Sequence, residues 1–100
     1  MKLTVQDVIK AVKENESEIR KFDVKEIYLF GSVVRGEATD NSDVDFFVVF
    51  EDSAKVGFFK LMKLQNFLTE KLKTPVDLGT KKALHRLLRD QILREALRVA

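Results

Sequence analysis

Eight residues, Asp43 to Phe50 (DVDFFVVF), constrain this chain more than any other stretch. Two carboxylates lead into five consecutive Phe and Val residues. That run reads as a β-strand with both faces buried toward its end. The two-residue period puts Val44, Phe46, Val48 and Phe50 on one face. It puts Asp43, Asp45, Phe47 and Val49 on the other. The two aspartates therefore point the same way, roughly 6–7 Å apart at their bases for a rise of about 3.3 Å per residue. An aspartate at the mouth of an apolar strand costs free energy unless it is paired, and a like-charged neighbour adds to that cost. One solution is a hard cation. Mg²⁺ takes oxygen ligands and keeps waters and substrate phosphates in its shell. Two such ions roughly 3.5–4 Å apart can clamp the attacking and leaving oxygens of a phosphoryl displacement. The other solution is structural: Ser42 and Asp43 cap a turn, and Asp45 pairs with a Lys or Arg. The pair alone supports both readings equally.

The surrounding sequence predicts a mixed helix–strand order. Thr4 caps an opening helix with Asp7 three residues on, and Val5, Val8, Ile9, Val12 and Ile19 recur at helical spacing up to about Lys21. Glu26 to Phe30 (EIYLF) reads as a strand that ends at Gly31-Ser32. Val33 to Ser42 is expected to hold one helical turn and then a loop, because Gly36, Asp40 and Asn41 interrupt it. Phe58, Leu61, Leu64, Leu68 and Leu72 mark the core face of a second helix, widened by Phe59, Met62 and Phe67. Pro75 follows its end, and Val76 to Gly79 forms a short strand. Thr80 is placed to cap a third helix with Leu84, Leu87, Leu88 and Ile92 facing inward. The last residues (ALRVA) fit a helix end or an edge strand equally well. The fold class is therefore α/β or α+β, a small mixed sheet flanked by helices. At 100 residues the chain is expected to be one domain, residues 1–100.

Composition mainly excludes. With no cysteine there are no disulfides, no thiolate zinc site and no Cys nucleophile. No apolar run is long enough for a membrane span and no signal-peptide region is visible, so a cytoplasmic protein is expected. The net charge of +2 hides an uneven distribution. Gly31 to Asp52 carries −5 and the remainder +7. An acidic segment beside a glycine turn can draw metal cations, although a solvated acidic loop has the same composition.

Four further positions bear on chemistry. Gly31-Ser32 follows a strand and opens a turn. There, close backbone approach, a hydroxyl and free amides can hold phosphate oxygens, or the glycine can simply make a turn. No Gly-Lys-Ser/Thr follows, so this is not a Walker A loop. Arg35 is the one base in the acidic segment. It either orients the loop or contacts phosphate, or it pairs with Glu37, Asp40 or one of the aspartates. Asp77 lies between Val76 and Leu78 and points opposite to them. It can face the aspartate pair as a third carboxylate, completing a metal shell or acting as general base, or it can be an edge-strand acid in water. His85, the single histidine, sits with Lys81, Lys82 and Arg86 and makes no metal cluster. Lys82, Arg86, Arg89 and Arg94 form a basic face without interleaved aromatics, so no nucleic-acid platform is expected.

Together these residues resemble the polymerase-β-like nucleotidyltransferases, whose signature is Gly-Ser, about ten residues, then Asp-x-Asp. Here Gly31-Ser32 is followed by Val33 to Ser42 and then Asp43-Val44-Asp45. The longer string GSVVRGEATDNSDVDFFVVF is similar to the minimal nucleotidyltransferases paired with HEPN-domain proteins in toxin–antitoxin operons. Val34 stands where that group often has alanine. The resemblance implies that Asp43, Asp45 and Asp77 hold Mg²⁺, with two ions expected. It implies that Gly31 and Ser32 form the phosphate-binding turn, and that Arg35 is the arginine of the Gly-Ser-x-x-Arg-Gly run. It further implies transfer of AMP from ATP to a tyrosine hydroxyl of a HEPN partner encoded nearby, with which the chain would assemble. A domain of this size has little surface left to enclose an acceptor, which agrees with one presented by a partner. Two other functions remain open at this point. One is a module that neutralises its partner by association alone. The other is a small-molecule nucleotidyltransferase of the antibiotic-modifying type, although those usually carry an additional helical domain.

Overall fold

Thr4 closes the start of the first helix as a capping box: its hydroxyl accepts the Asp7 amide at 3.2 Å and the Asp7 carboxylate accepts the Thr4 amide at 3.0 Å. The structure, a computed structural model, describes residues 3–39, 41–52, 57–84 and 88–100. Helix α1 (Val5–Glu14) and α2 (Glu16–Arg20) lead into β1 (Val24–Phe30) and β2 (Val44–Phe50). Then come α3 (Phe58–Leu72), β3 (Val76–Thr80), a 3₁₀ turn (Lys81–Ala83), α4 (Arg89–Glu95) and β4 (Leu97–Arg98). The four strands form one mixed sheet in the order β3-β2-β1-β4. β2 runs antiparallel to β1 and parallel to β3, and β4 runs antiparallel to β1.

The expected alternation along β2 is present. Val44, Phe46 and Val48 join Ile27, Leu29, Val76 and Leu78 in the core, packed by Val8, Val12 and Ile19 and by Leu64, Leu68 and Leu72 of α3. Phe47 lies outside that core on the opposite face, yet it is only 1% exposed. Tyr28 stacks on it at 4.8 Å and Phe30 tilts against it at 5.8 Å, so three aromatics bury one another. Asp45 and Asp77 share this second face.

Four sequence expectations change. The opening helix does not run unbroken to Lys21. The Asn15 side-chain amide donates to the Ala11 carbonyl at 2.7 Å, while its backbone amide turns to Val12. An asparagine that competes for the backbone acceptor ends the helix, and a new one starts at Glu16. Phe58 and Phe59 are 71% and 79% exposed rather than core. Periodicity marks a helix face but not how far the sheet extends beneath it, and α3 is fully buried only at Leu64, Leu68 and Leu72. Thr80 does cap, accepting the Ala83 amide at 3.2 Å, but only a 3₁₀ turn follows because Leu84 takes an extended backbone. Helix α4 starts afresh at Arg89, and Leu88 is 51% exposed instead of inward. His85, Arg86 and Leu87 lie outside the described residues. The undecided last segment is an edge strand: Leu97 and Arg98 pair with Leu29 and Tyr28, and Val99 closes the core from that side.

These differences give a stability test. Leu68→Ala opens a cavity in the core and is expected to cost about 2–5 kcal/mol by denaturant titration. Phe58→Ser removes a ring that is already in water and is expected to stay within about 0.5 kcal/mol. A large loss at Phe58 would contradict the packing described for the first turn of α3.

Candidate active site

The register of β1 on β2 sets Phe30 opposite Asp45, so the next residue of β1, Gly31, arrives directly beside that carboxylate. Gly31 is buried with φ +85°, in the left-handed region. A methyl group at this position would run into Asp45 Oδ2. Backbone conformation and space both require glycine. The expected single turn follows. The Arg35 amide donates to the Gly31 carbonyl at 3.2 Å, and the Glu37 amide to the Ser32 carbonyl at 2.9 Å. The loop beyond is tied by Ser42, whose hydroxyl accepts the Thr39 amide at 2.9 Å. Ser42 therefore closes a turn, as one reading of the sequence had it. The same reading paired Asp45 with a base, and among the described residues no Lys or Arg lies within ion-pair distance of it.

Asp77 stands level with Asp45 on the neighbouring parallel strand. Val76 and Leu78 are buried while Asp77 is exposed, so it points away from them as the alternation required. β3 is also the edge strand, so Asp77 is at once an edge acid in water and the neighbour of Asp45. Asp43 sits one residue ahead of β2 and is exposed. Burial pushes the Asp45 carboxyl up to about 6, and the charges of Asp77 and then Asp43 add to the rise, with Arg35 opposing it. Negative charge at Asp45 is therefore incompletely balanced by the protein. Among the described residues no three acidic or imidazole side chains are drawn into a closed metal-ligating group, and the three aspartates share one end of the sheet without forming a cage.

Arg35 does not reach the aspartates as an ion pair. It bonds Glu37 at 3.3 Å and, with one nitrogen, both carboxylate oxygens of Glu95 at 3.1 and 3.3 Å. Asp40, the other acid considered for it, lies outside the described residues. Glu95 also accepts the Gly31 amide at 3.0 Å, so that amide is not free for a phosphate. Nothing in the sequence pointed to Glu95. It is 64 residues from Gly31 and carries no motif, and only the pairing of β4 with β1 brings it there. A groove of about 460 Å³ between the far ends of β2 and β3 is lined by Val49, Phe50, Lys81 and Lys82 among others. None of the six expected site residues lines it.

The glycine turn thus packs on a strand carboxylate, with a second carboxylate in parallel register beside it. The family model for the nucleotidyltransferase domain matches residues 5–99, and the chain belongs to that family. Protein adenylyltransferase MntA of Thermococcus cleftensis is 37% identical over 98 residues, covering 97% of each chain. A solved chain assigned as a minimal nucleotidyltransferase superposes with a TM-score of 0.78 at 29% identity, covering 95% of each. A chain from the complex of tri-AMPylated Shewanella oneidensis HEPN toxin with MNT antitoxin shares the fold. Its TM-score is 0.59 at 22% identity, covering 88% of this chain and 71% of its own.

Two outcomes follow from this geometry. Gly31→Ala is expected to cost more than about 2 kcal/mol in denaturant titration, since strain and clash coincide. The second concerns pH. The folded state holds the Asp45 proton more tightly than the unfolded chain, whose aspartates titrate near about 3.9. Folding therefore takes up a proton between about pH 4 and 6, and stability falls as pH rises through that window. In EDTA, Asp45→Asn is expected to raise Tm at neutral pH by a few degrees. Near pH 4, where the wild-type carboxyl is already neutral in the folded state, it is expected to have little effect. Equal effects at both pH values would mean that the Asp45 charge is balanced after all.

Proposed function

We propose that this chain, as a single domain spanning residues 1–100, is a Mg²⁺-dependent protein AMP transferase. It moves AMP from ATP to a tyrosine hydroxyl of a HEPN-domain partner encoded nearby, and so acts as an antitoxin in the cytoplasm. The observation that carries the reading is the level placement of Asp45 and Asp77 on parallel strands, with Gly31 packed against Asp45. The MntA relative is named a protein adenylyltransferase, and the Shewanella complex pairs an AMPylated HEPN toxin with an MNT antitoxin. No helix among the described residues is long and apolar enough to cross a membrane.

The donor chemistry fits Mg²⁺: Asp43, Asp45 and Asp77 offer hard carboxylate oxygens, and the raised Asp45 marks charge that a cation would balance. When bound, Mg²⁺ supplies positive charge at the transferring phosphate. The protein supplies the rest. The turn at Gly31-Ser32 cradles the triphosphate with the Ser32 hydroxyl and the amides of Val33 and Val34, since the next three amides are bonded within the turn. Arg35, at the exposed end of the turn, faces the same anion. The acceptor oxygen bonds to the α-phosphorus as the bond to pyrophosphate breaks. The acceptor proton passes to a carboxylate, and Asp77, exposed on the edge strand, is positioned to take it. The site is open along the sheet edge, so the acceptor can arrive on another protein.

The test uses ATP labelled on the α-phosphate, Mg²⁺ and the purified HEPN-domain partner. Label is expected on a partner tyrosine. It is expected to fall by at least about a hundredfold in the Asp43→Asn, Asp45→Asn double variant. Label transfer that survives this variant would sink the assignment. The exposed Phe58 and Phe59, in edge contact at 6.3 Å, favour a second reading in which association alone neutralises the partner. Full neutralisation by the same double variant would establish that reading. Labelling of a small alcohol without any partner would instead place the chain with the antibiotic-modifying enzymes.

A further inference from the structure

Glu95 is the last residue of α4, and its side chain is only 17% exposed although it is charged. Its contacts all go to one turn. It accepts the Gly31 amide at 3.0 Å and holds the Arg35 guanidinium with both oxygens at 3.1 and 3.3 Å. Gly31 and Arg35 are the first and fifth residues of that turn, which is closed by the Arg35 amide on the Gly31 carbonyl at 3.2 Å. One carboxylate therefore clamps both ends. The other acid on Arg35, Glu37, is exposed, and its pairing competes with water. Glu95 is itself placed two residues before β4, whose pairing with β1 anchors it.

We propose that Glu95 is a positioning residue for the nucleotide site. It fixes the Gly31-Ser32 turn against Asp45 and holds Arg35 at the mouth of that turn, so that the docked C-terminal segment sets the affinity for the triphosphate. The inference rests on the reading of this turn as the phosphate cradle. Glu95 touches no substrate. It acts through the amide of Gly31, the residue whose α-carbon lies against the Asp45 carboxylate, and through the guanidinium of Arg35. A carboxylate suits the task because it accepts from the amide and the guanidinium at once, and such charge-assisted bonds are the stronger ones. Its negative charge is paired with Arg35, and what remains unbalanced adds to the rise at Asp45.

The test compares the full chain with its Glu95→Ala, Glu95→Asp and Glu95→Gln variants. Hydrogen exchange of the Gly31 amide is read without nucleotide. The dissociation constant of Mg²⁺-ATP is read by calorimetry, and KM against kcat by label transfer. In Glu95→Ala, Gly31 is expected to lose exchange protection, and both the dissociation constant and KM are expected to rise about tenfold with kcat changed far less. Glu95→Asp keeps the charge but loses reach, and is expected to behave the same way should the Ala variant fail to fold. Glu95→Gln retains an acceptor for the Gly31 amide and is expected to restore protection and most of the affinity. Unchanged Gly31 exchange in both the Ala and Asp variants overturns the proposal. So does unchanged or tighter nucleotide binding, which would make Glu95 a competitor of the phosphate. If the wild-type chain binds no ATP and labels no partner, the functional reading fails instead, and Gly31 exchange still decides whether Glu95 holds the turn.

Discussion

The site depends on one close approach: the backbone of Gly31 lies directly against the carboxylate of Asp45. That contact requires a residue without a side chain, a left-handed φ, and a β1–β2 register that sets Phe30 opposite Asp45. A shift of one residue would turn Asp45 into the core and Phe46 out of it. Core and site are therefore specified by the same alternation. The apolar residues of β2 hold the register, and the register delivers the acid to the glycine turn.

The electrostatics run against stability. Three aspartates share one end of the sheet, and the half-buried one holds its proton more tightly than an aspartate in water. Repulsion of this kind is tolerated where it serves binding, because a cation converts it into attraction. Among the described residues no base pairs with Asp45, and Arg35 opposes the repulsion only from beyond ion-pair distance. Arg35 is engaged by Glu95 and Glu37, and Lys60 pairs with Asp23 on the turn between α2 and β1. These two bases hold loops and do not pair with the three aspartates.

The same physics explains which parts of the molecule were legible in the sequence. The capping box at Thr4, the two faces of β2 and the outward Asp77 depend on neighbours within a few residues, and they stand as expected. Phe58 misled because a helical stripe says nothing of where the packing partner ends. Asn15 and Leu84 broke helices through single local choices of hydrogen bond or backbone angle that apolar periodicity does not register. The segment after Ala96 was ambiguous because two residues of strand leave no periodic trace.

The sequence by itself determined the fold class, the strand that carries Asp43 and Asp45, and the family, because spacing along one strand and one turn is a local property. Tertiary structure alone decided that Asp77 lies level with Asp45, since parallel pairing joins strands separated by a whole helix. It alone decided that the amide of Gly31 is taken by Glu95, because that contact spans 64 residues and is made only when β4 docks on β1. Chain order limits which residues can meet. Only the packed sheet sets the distance at which a carboxylate, an amide and a guanidinium act together.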